Sequence, residues 1–72
     1  MLRRWDLAGA RQAFERSLQI YPEFSEAHNG LGLILEKQGE IDAALLAYQT
    51  AINLNPKNRF PHLNLGFLYA RK

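Results

Sequence analysis

The chain is similar to itself at a spacing of 34 residues, and this repeat constrains its fold more than any other feature. Shifting the sequence by that spacing superimposes identical residues at Ala10/Ala44, Ala13/Ala47, Pro22/Pro56, His28/His62, Leu31/Leu65 and Gly32/Gly66. Phe14 falls on Tyr48, and Leu18 falls on Ile52. Because the matches run along most of the 72 residues, we expect stacked copies of one small structural unit.

Proline and glycine divide the chain into four segments of about 14 residues, each with apolar residues at helical spacing. The breaks are Tyr21–Phe24, Gln38–Glu40 and Asn55–Asn58, where Pro removes a backbone donor or Gly permits a left-handed helix end. Strand-like alternation is absent. The pattern predicts four helices joined by tight turns, with Ser25 and Asn58 as N-caps and Pro61 in a first helical turn.

Composition limits the classes of protein to which the chain can belong. A 72-residue chain has one thin core and no room for a two-layer enzyme with a buried pocket. The net charge of +2 is spread without a basic block, so no nucleic-acid partner is expected. The longest apolar runs fall far short of the roughly 18 residues that a membrane span needs. We therefore expect a small folded protein without a membrane or nucleic-acid partner, and a cytoplasmic location, although the absence of cysteine identifies no compartment.

A 34-residue helix–turn–helix period with this pattern resembles the tetratricopeptide repeat, whose signature is W-x2-L-G-x2-Y, then A-x3-F, then P. The central match runs through His28, Leu31, Gly32, Leu35, Ala44, Tyr48 and Pro56. Part of the signature precedes it at Ala10, Phe14 and Pro22, and part follows it at His62, Leu65, Gly66 and Tyr69. Histidine stands where the family usually has Trp, and Trp5 stands where Gly39 does one repeat later.

The resemblance implies an all-α fold of antiparallel helix-turn-helix repeats, stacked as a short right-handed superhelical solenoid with four helices. Within one domain spanning 1–72, it implies three parts: the second helix of a partial repeat (1–22), a complete repeat (25–58) and the first helix of a further repeat (59–72). The signature residues from His28 to Tyr69 are then the packing residues of the repeats. Because the chain begins and stops within a repeat, we interpret it as a fragment of a longer repeat protein.

In this family the first helices of successive repeats line a concave surface that binds a peptide or helix of a partner protein. The resemblance assigns to that groove Glu26, Asn29, Leu33, Glu36, Phe60, Leu63, Asn64 and Phe67. Independently, Asn29, Leu33 and Glu36 share a helical stripe distinct from the packing stripe. A cluster of Leu33, Phe60, Leu63 and Phe67 would be an exposed apolar patch, or a flanking helix would cover it. Asn64 alone matches the side chains with which some members grip a C-terminal carboxylate, so that use is not expected.

Other chemistry finds little support in the sequence. His28 and His62 fall on helices expected to lie about 8 to 10 Å apart, too far to share a zinc ion without further ligands. No catalytic constellation or phosphate loop is present, so we expect no enzymatic activity, no metal and no cofactor.

The alternative to a partner-binding module is a structural fragment that associates with itself, head to tail or by exchanging helices. The residues assigned to that contact are Trp5, Ala10, Phe14, Leu18, Leu65 and Tyr69. They belong to faces of the first and last helices that would pack on helices of neighbouring repeats. Gly32 recurs as Gly66 and permits close packing of helices. Gly30 does not recur, because Asn64 stands at the equivalent position, and its role stays unexplained by the sequence.

Overall fold

The computed structural model describes residues 6–71 and contains, within that range, four α-helices and no strand. The helices are α1 (Leu7–Ile20), α2 (Ser25–Lys37), α3 (Ile41–Leu54) and α4 (Arg59–Arg71). The all-α prediction of four helices joined by short turns is therefore confirmed.

The turn between α2 and α3 is set by a glycine. Gly39 has φ of +83°, a left-handed conformation that L side chains rarely adopt. The backbone N–H of Glu40 donates to the Leu35 carbonyl at 2.9 Å, and that of Gly39 donates to the Glu36 carbonyl at 3.0 Å. These two bonds form a Schellman motif, which satisfies the last carbonyls of α2 and reverses the chain.

Proline sets the other two turns, and the two turns resemble each other. Tyr21 and Asn55 precede Pro22 and Pro56, and a residue before proline is disfavoured in the helical region. Both residues leave the helical conformation, with φ and ψ of −128° and 84° at Tyr21 and of −144° and 83° at Asn55. The two equivalent helices α1 and α3 therefore end at equivalent positions.

The N-caps found in the structure agree only in part with those predicted from the sequence. The side chain of Asp6 accepts from the N–H of Gly9 at 3.0 Å at the start of α1, and that of Asn58 accepts from the N–H of Phe60 at 3.1 Å at the start of α4. The prediction that Ser25 is an N-cap is wrong, because Phe24 holds that position. Ser25 lies in the first turn of α2, is buried, and donates its hydroxyl to the Ala51 carbonyl at 2.9 Å.

The four helices pack into a slab measuring 38 × 32 × 19 Å. Its thickness corresponds to two layers of helices. Helix α2 packs against α1 and α3, and α4 packs against both α3 and α2. The core is a cluster contributed by α2, α3 and α4, namely Leu35, Ala44, Ala47, Tyr48 and Leu68, with Leu31, Ile41, Leu45 and Leu65 packed around it.

Close approach of α2 and α3 depends on Gly32. A Cβ atom added at Gly32 would lie 2.6 Å from the Tyr48 ring, well inside van der Waals contact. Gly32 and Tyr48 are both buried, and so is Ala44 one turn earlier on α3. The small residues shared with the family signature therefore act here by admitting an aromatic ring between two helix backbones.

No helix within residues 6–71 combines the length and the apolar character required to cross a bilayer.

Candidate functional site

Two polar contacts join the predicted groove residues of α2 to helix α4. The side-chain amide of Asn64 donates from Nδ2 to Oδ1 of Asn29 at 2.9 Å, and Arg71 forms an ion pair with Glu36. Each pair spans 35 residues, and on both helices the second pair follows the first by seven residues, about two helical turns. The two contacts are therefore successive rungs on one stripe, and they hold α2 and α4 side by side.

Large apolar side chains border this stripe and face solvent. Leu63 is 52% exposed, Phe67 is 64% exposed and Phe60 is 66% exposed, while Leu33 is just over one-third exposed. No helix of residues 6–71 covers them. Of the two outcomes expected for this cluster, an exposed patch or coverage by a flanking helix, the described residues form the exposed patch.

A cleft of about 430 Å³ lies between the C-terminal halves of α2 and α4. It is lined by Leu33, Glu36, Asn64, Phe67, Ala70 and Arg71. Four predicted groove residues thus meet at one cleft: Leu33, Glu36, Asn64 and Phe67. The other four, Glu26, Asn29, Phe60 and Leu63, lie on the same two helices but do not line this cleft.

The polar end of the cleft is a three-residue network. Tyr48 from α3 donates its hydroxyl to Oε1 of Glu36 at 2.8 Å, while Oε2 of the same carboxylate pairs with Arg71. Burial of the ring, and then the hydrogen bond to the Glu36 carboxylate, raise the pKa of Tyr48 well above its usual value. Glu36 therefore links α3, through the Tyr48 hydroxyl, to Arg71 on α4.

The signature residues divide into two sets in the structure. Gly32, Leu35, Ala44 and Tyr48 are buried between α2 and α3, with Leu31 half-buried beside them. His28 is half-buried, and its Nε2 lies 2.9 Å from the Pro22 carbonyl, to which it donates as the Nε2–H tautomer. In α4, by contrast, His62, Gly66 and Tyr69 are exposed and Leu65 is half-buried, and Pro56 is exposed in its turn.

The residues assigned to self-association are placed as follows. Ala10, Phe14 and Leu18 on α1 are half-buried, as is Leu65, and Tyr69 is exposed. Trp5 lies outside the described residues. The ring tip of Phe14 also lies directly on Gly30 of α2, a contact that the repeat pattern does not predict. That contact explains Gly30, since a Cβ atom there would clash with the ring.

Several residues of the site were missed in the sequence. Arg71 lines the cleft, although the sequence pattern assigns it to no site. Its contact with Glu36 spans 35 residues, one more than the repeat period, so the period alone does not indicate it. A second apolar surface was also missed: Ile20, Tyr21 and Phe24 are exposed around a cleft of about 490 Å³ at the α1–α2 turn.

Metal-binding groups are not clustered in the part of the chain that the structure describes. Among residues 6–71, no three side chains of His, Cys, Asp or Glu come together in a way that could hold a metal ion. The hydrogen-bonding role of His28 accounts for that residue within the helix–turn packing.

Comparison with known protein families agrees with the helix pair at the centre of the chain. Residues 25–58 match the family model described as tetratricopeptide repeat. The matched range begins at the first residue of α2 and ends immediately before α4, so it contains the buried Gly32–Tyr48 contact. This match and this packing support assignment of the chain to the tetratricopeptide repeat family, whose repeat it carries at residues 25–58.

Proposed function

We propose that this chain binds a peptide or helical segment of a partner protein in the groove between α2 and α4. Tetratricopeptide repeats are generally protein–protein interaction modules and not enzymes. The observation that carries the proposal is the exposed apolar cluster of Leu33, Phe60, Leu63 and Phe67 along that groove. An exposed apolar cluster on a small protein is typical of a contact site.

The groove is held in shape before any partner arrives. The Asn29–Asn64 hydrogen bond and the Glu36–Arg71 ion pair fix the spacing of α2 and α4. The Tyr48 hydroxyl donates a hydrogen bond to the Glu36 carboxylate and holds it in position. Since little ordering of the groove is needed on binding, more of the interaction free energy contributes to affinity.

The groove favours an amphipathic partner. Apolar side chains of the partner would lie on Phe67 and Leu63, which are too exposed to belong to the core. The bond between Asn29 and Asn64 uses one amide donor and one carbonyl acceptor, which leaves donor capacity on Asn29 and acceptor capacity on Asn64 for a bound backbone. The groove therefore suits a segment with spaced apolar anchors and accessible polar groups.

The proposal includes the arrangement of the domain. In it, α1 within residues 1–22 serves as the second helix of one partial repeat, and α4 within 59–72 serves as the first helix of another. The groove is then the surface shared by two successive first helices, α2 and α4.

The test begins with selection of a binding peptide from a displayed library of random sequences, followed by titration of that peptide. The double variant Leu63→Ser with Phe67→Ser should weaken binding at least about tenfold, because buried apolar anchors dominate interfaces of this kind. Its helical circular dichroism should stay unchanged, since both side chains are exposed.

The matched control removes equally exposed apolar side chains from outside the groove. Ile20→Ser with Leu46→Ser fits this purpose, because Ile20 lies at the end of α1 and Leu46 lies on α3. This control should bind the peptide like the unmodified chain. Equal weakening by both double variants, or loss of helicity in the groove variant, would contradict the proposal.

A further inference from the structure

The molecule contains its own template for a contact between two repeat helices. In the α2–α3 interface, Gly32 of α2 receives the ring of Tyr48, and α3 contributes the small residues Ala44 and Ala47. All four residues are buried. This is the packing by which the chain builds one complete helix pair.

Helix α4 presents the α2 half of that template, and within residues 6–71 nothing packs on its face around Gly66. Gly66 is equivalent to Gly32, yet a Cβ atom at Gly66 would meet nothing within 4 Å. Tyr69 is 54% exposed, whereas the equivalent Leu35 is 5% exposed. The face of α4 around Gly66 is therefore open where the same face of α2 is closed.

Helix α1 presents the α3 half. Ala13 is exposed, whereas the equivalent Ala47 is buried, and α1 contains no fully buried residue among those described. Ala10 and Phe14 are only half-buried, whereas Ala44 and Tyr48 have no exposed surface. A shallow cleft of about 770 Å³ runs along α1 and includes Gly9, Ala13 and Ser17 in its lining.

The two open faces also match in polarity. In the template, the Tyr48 hydroxyl pairs with the Glu36 carboxylate. The equivalent positions on the open faces hold Phe14 and Ala70, so the hydroxyl and the carboxylate are absent together. Joining these faces therefore buries no unpaired polar group at that point, whereas Tyr with Ala or Phe with Glu would leave one.

We propose that a second copy of this chain is the occupant: α1 of one molecule docks on α4 of the next and rebuilds the α2–α3 packing. The Phe14 ring keeps the contact of its tip with Gly30 of its own α2 and lies with its other side over Gly66 of the other molecule, while Ala10 and Ala13 face that molecule's backbone. The contact is heterologous, so it extends into an open chain of molecules or closes into a ring. It uses a face distinct from the apolar cluster of the peptide groove, and it does not rest on the proposed function.

Sedimentation equilibrium of the 72-residue chain over a wide concentration range is the direct test. The average mass should rise with concentration. The variant Gly66→Ala should form a helical monomer at least as resistant to heat, because the added Cβ has open space. It should nevertheless associate at least about tenfold more weakly, since the Cβ would meet the incoming ring as it would at Gly32.

A second pair of variants tests the α1 side. Ala13→Glu should abolish association, because its equivalent Ala47 is only 8% exposed in the template. Ala8→Glu is the matched control, since Ala8 is exposed and its equivalent is the exposed acidic residue Asp42. This control should associate like the unmodified chain.

The remaining outcomes overturn the proposal. A constant monomer mass at every concentration would show that the faces do not join. Association that survives both Gly66→Ala and Ala13→Glu, or that Ala8→Glu weakens equally, would place the contact elsewhere. Loss of association in the groove variant Leu63→Ser with Phe67→Ser would mean that the groove itself is the self-contact.

Discussion

Two glycines two residues apart on α2 each accommodate an aromatic ring from a different helix. The Phe14 ring of α1 lies on Gly30, and the Tyr48 ring of α3 lies on Gly32. Glycine inside a helix costs about 1 kcal/mol relative to alanine, so each position is retained for contact and not for helix propensity. Although Phe14 and Tyr48 are equivalent in the repeat, the first ring lies on the following helix and the second on the preceding one.

These contacts predict three different effects of the same substitution. Gly66→Ala should raise the free energy of unfolding by about 1 kcal/mol, because α4 gains helix propensity and the Cβ meets nothing. Gly32→Ala should lower it by about 1 to 3 kcal/mol, since the buried Tyr48 ring has no room to move. Gly30→Ala should lie between them, because the half-buried Phe14 ring yields more easily.

Urea unfolding of dilute protein, followed by circular dichroism, checks this order. Dilution keeps any association from contributing to the measured stability. A stabilising Gly32→Ala or a destabilising Gly66→Ala would contradict the assignment of these contacts.

Tyr48 predicts how stability depends on alkaline pH. Burial and the Glu36 carboxylate raise its pKa, so the folded chain keeps the phenol proton after the unfolded chain, with an ordinary pKa of about 10, has lost it. This contribution to stability is complete below pH about 10 and is lost as pH rises above that value. The slope reaches at most about 1.4 kcal/mol per pH unit.

The variant Tyr48→Phe isolates this contribution. At neutral pH it should lose about 1 to 2 kcal/mol, because the hydrogen bond to the Glu36 carboxylate is removed. Above a pH of about 10, which is the ordinary pKa of tyrosine, its free energy of unfolding should fall less steeply than that of the unmodified chain. Parallel pH profiles for the two proteins, measured by urea unfolding, would contradict this interpretation.

At the scale of helices, the sequence predicted what the 34-residue period and local chemistry determine. Gly39 and the two X-Pro pairs have fixed conformations that follow from residue type, so the helix ends were predictable. Ser25 was assigned as an N-cap because serine is common there, but its hydroxyl bonds to the carbonyl of Ala51 on another helix. A local rule cannot detect a carbonyl that tertiary packing brings within reach.

Contacts between helices were predictable only for residues that recur at the 34-residue spacing. Gly32 recurs as Gly66, so its role in packing followed from the period. Gly30 does not recur, and its ring comes from α1, so its role required the structure. The same holds for two hydrogen bonds that Arg11 of α1 donates to the α2–α3 turn, one to Gln38 at 2.9 Å and one to Glu40 at 3.1 Å. No periodic pattern indicates them.

At the scale of the whole molecule, stability comes from a row of neighbouring contacts. Helices adjacent in the chain pack on one another, α2 also packs on α4, and α1 makes no packing contact with α3 or α4 within the described residues. Repeat proteins built in this way gain stability with each added interface, because every new unit buries a face that was open before. A small chain with two open faces is therefore expected to be marginally stable, and to gain stability when those faces are joined.

Two copies of the chain fused in register should therefore behave as one longer row of repeats. Residue 5 stands 34 positions before Gly39, so a fusion that reads Lys72, glycine, Asp6 keeps the repeat spacing across the junction. Glycine replaces Trp5 there because the equivalent Gly39 has φ of +83°, which tryptophan would adopt only with strain. Helix α4 of the first copy and α1 of the second then form a pair like α2 and α3.

The fusion should unfold in one transition with a midpoint about 10 °C or more above that of the single chain, measured by circular dichroism at low concentration. Introducing Ala13→Glu into the second copy should remove most of this gain, and Ala8→Glu should not, because only Ala13 faces the rebuilt interface. A fusion that melts at the temperature of the single chain would show that the two faces are not complementary.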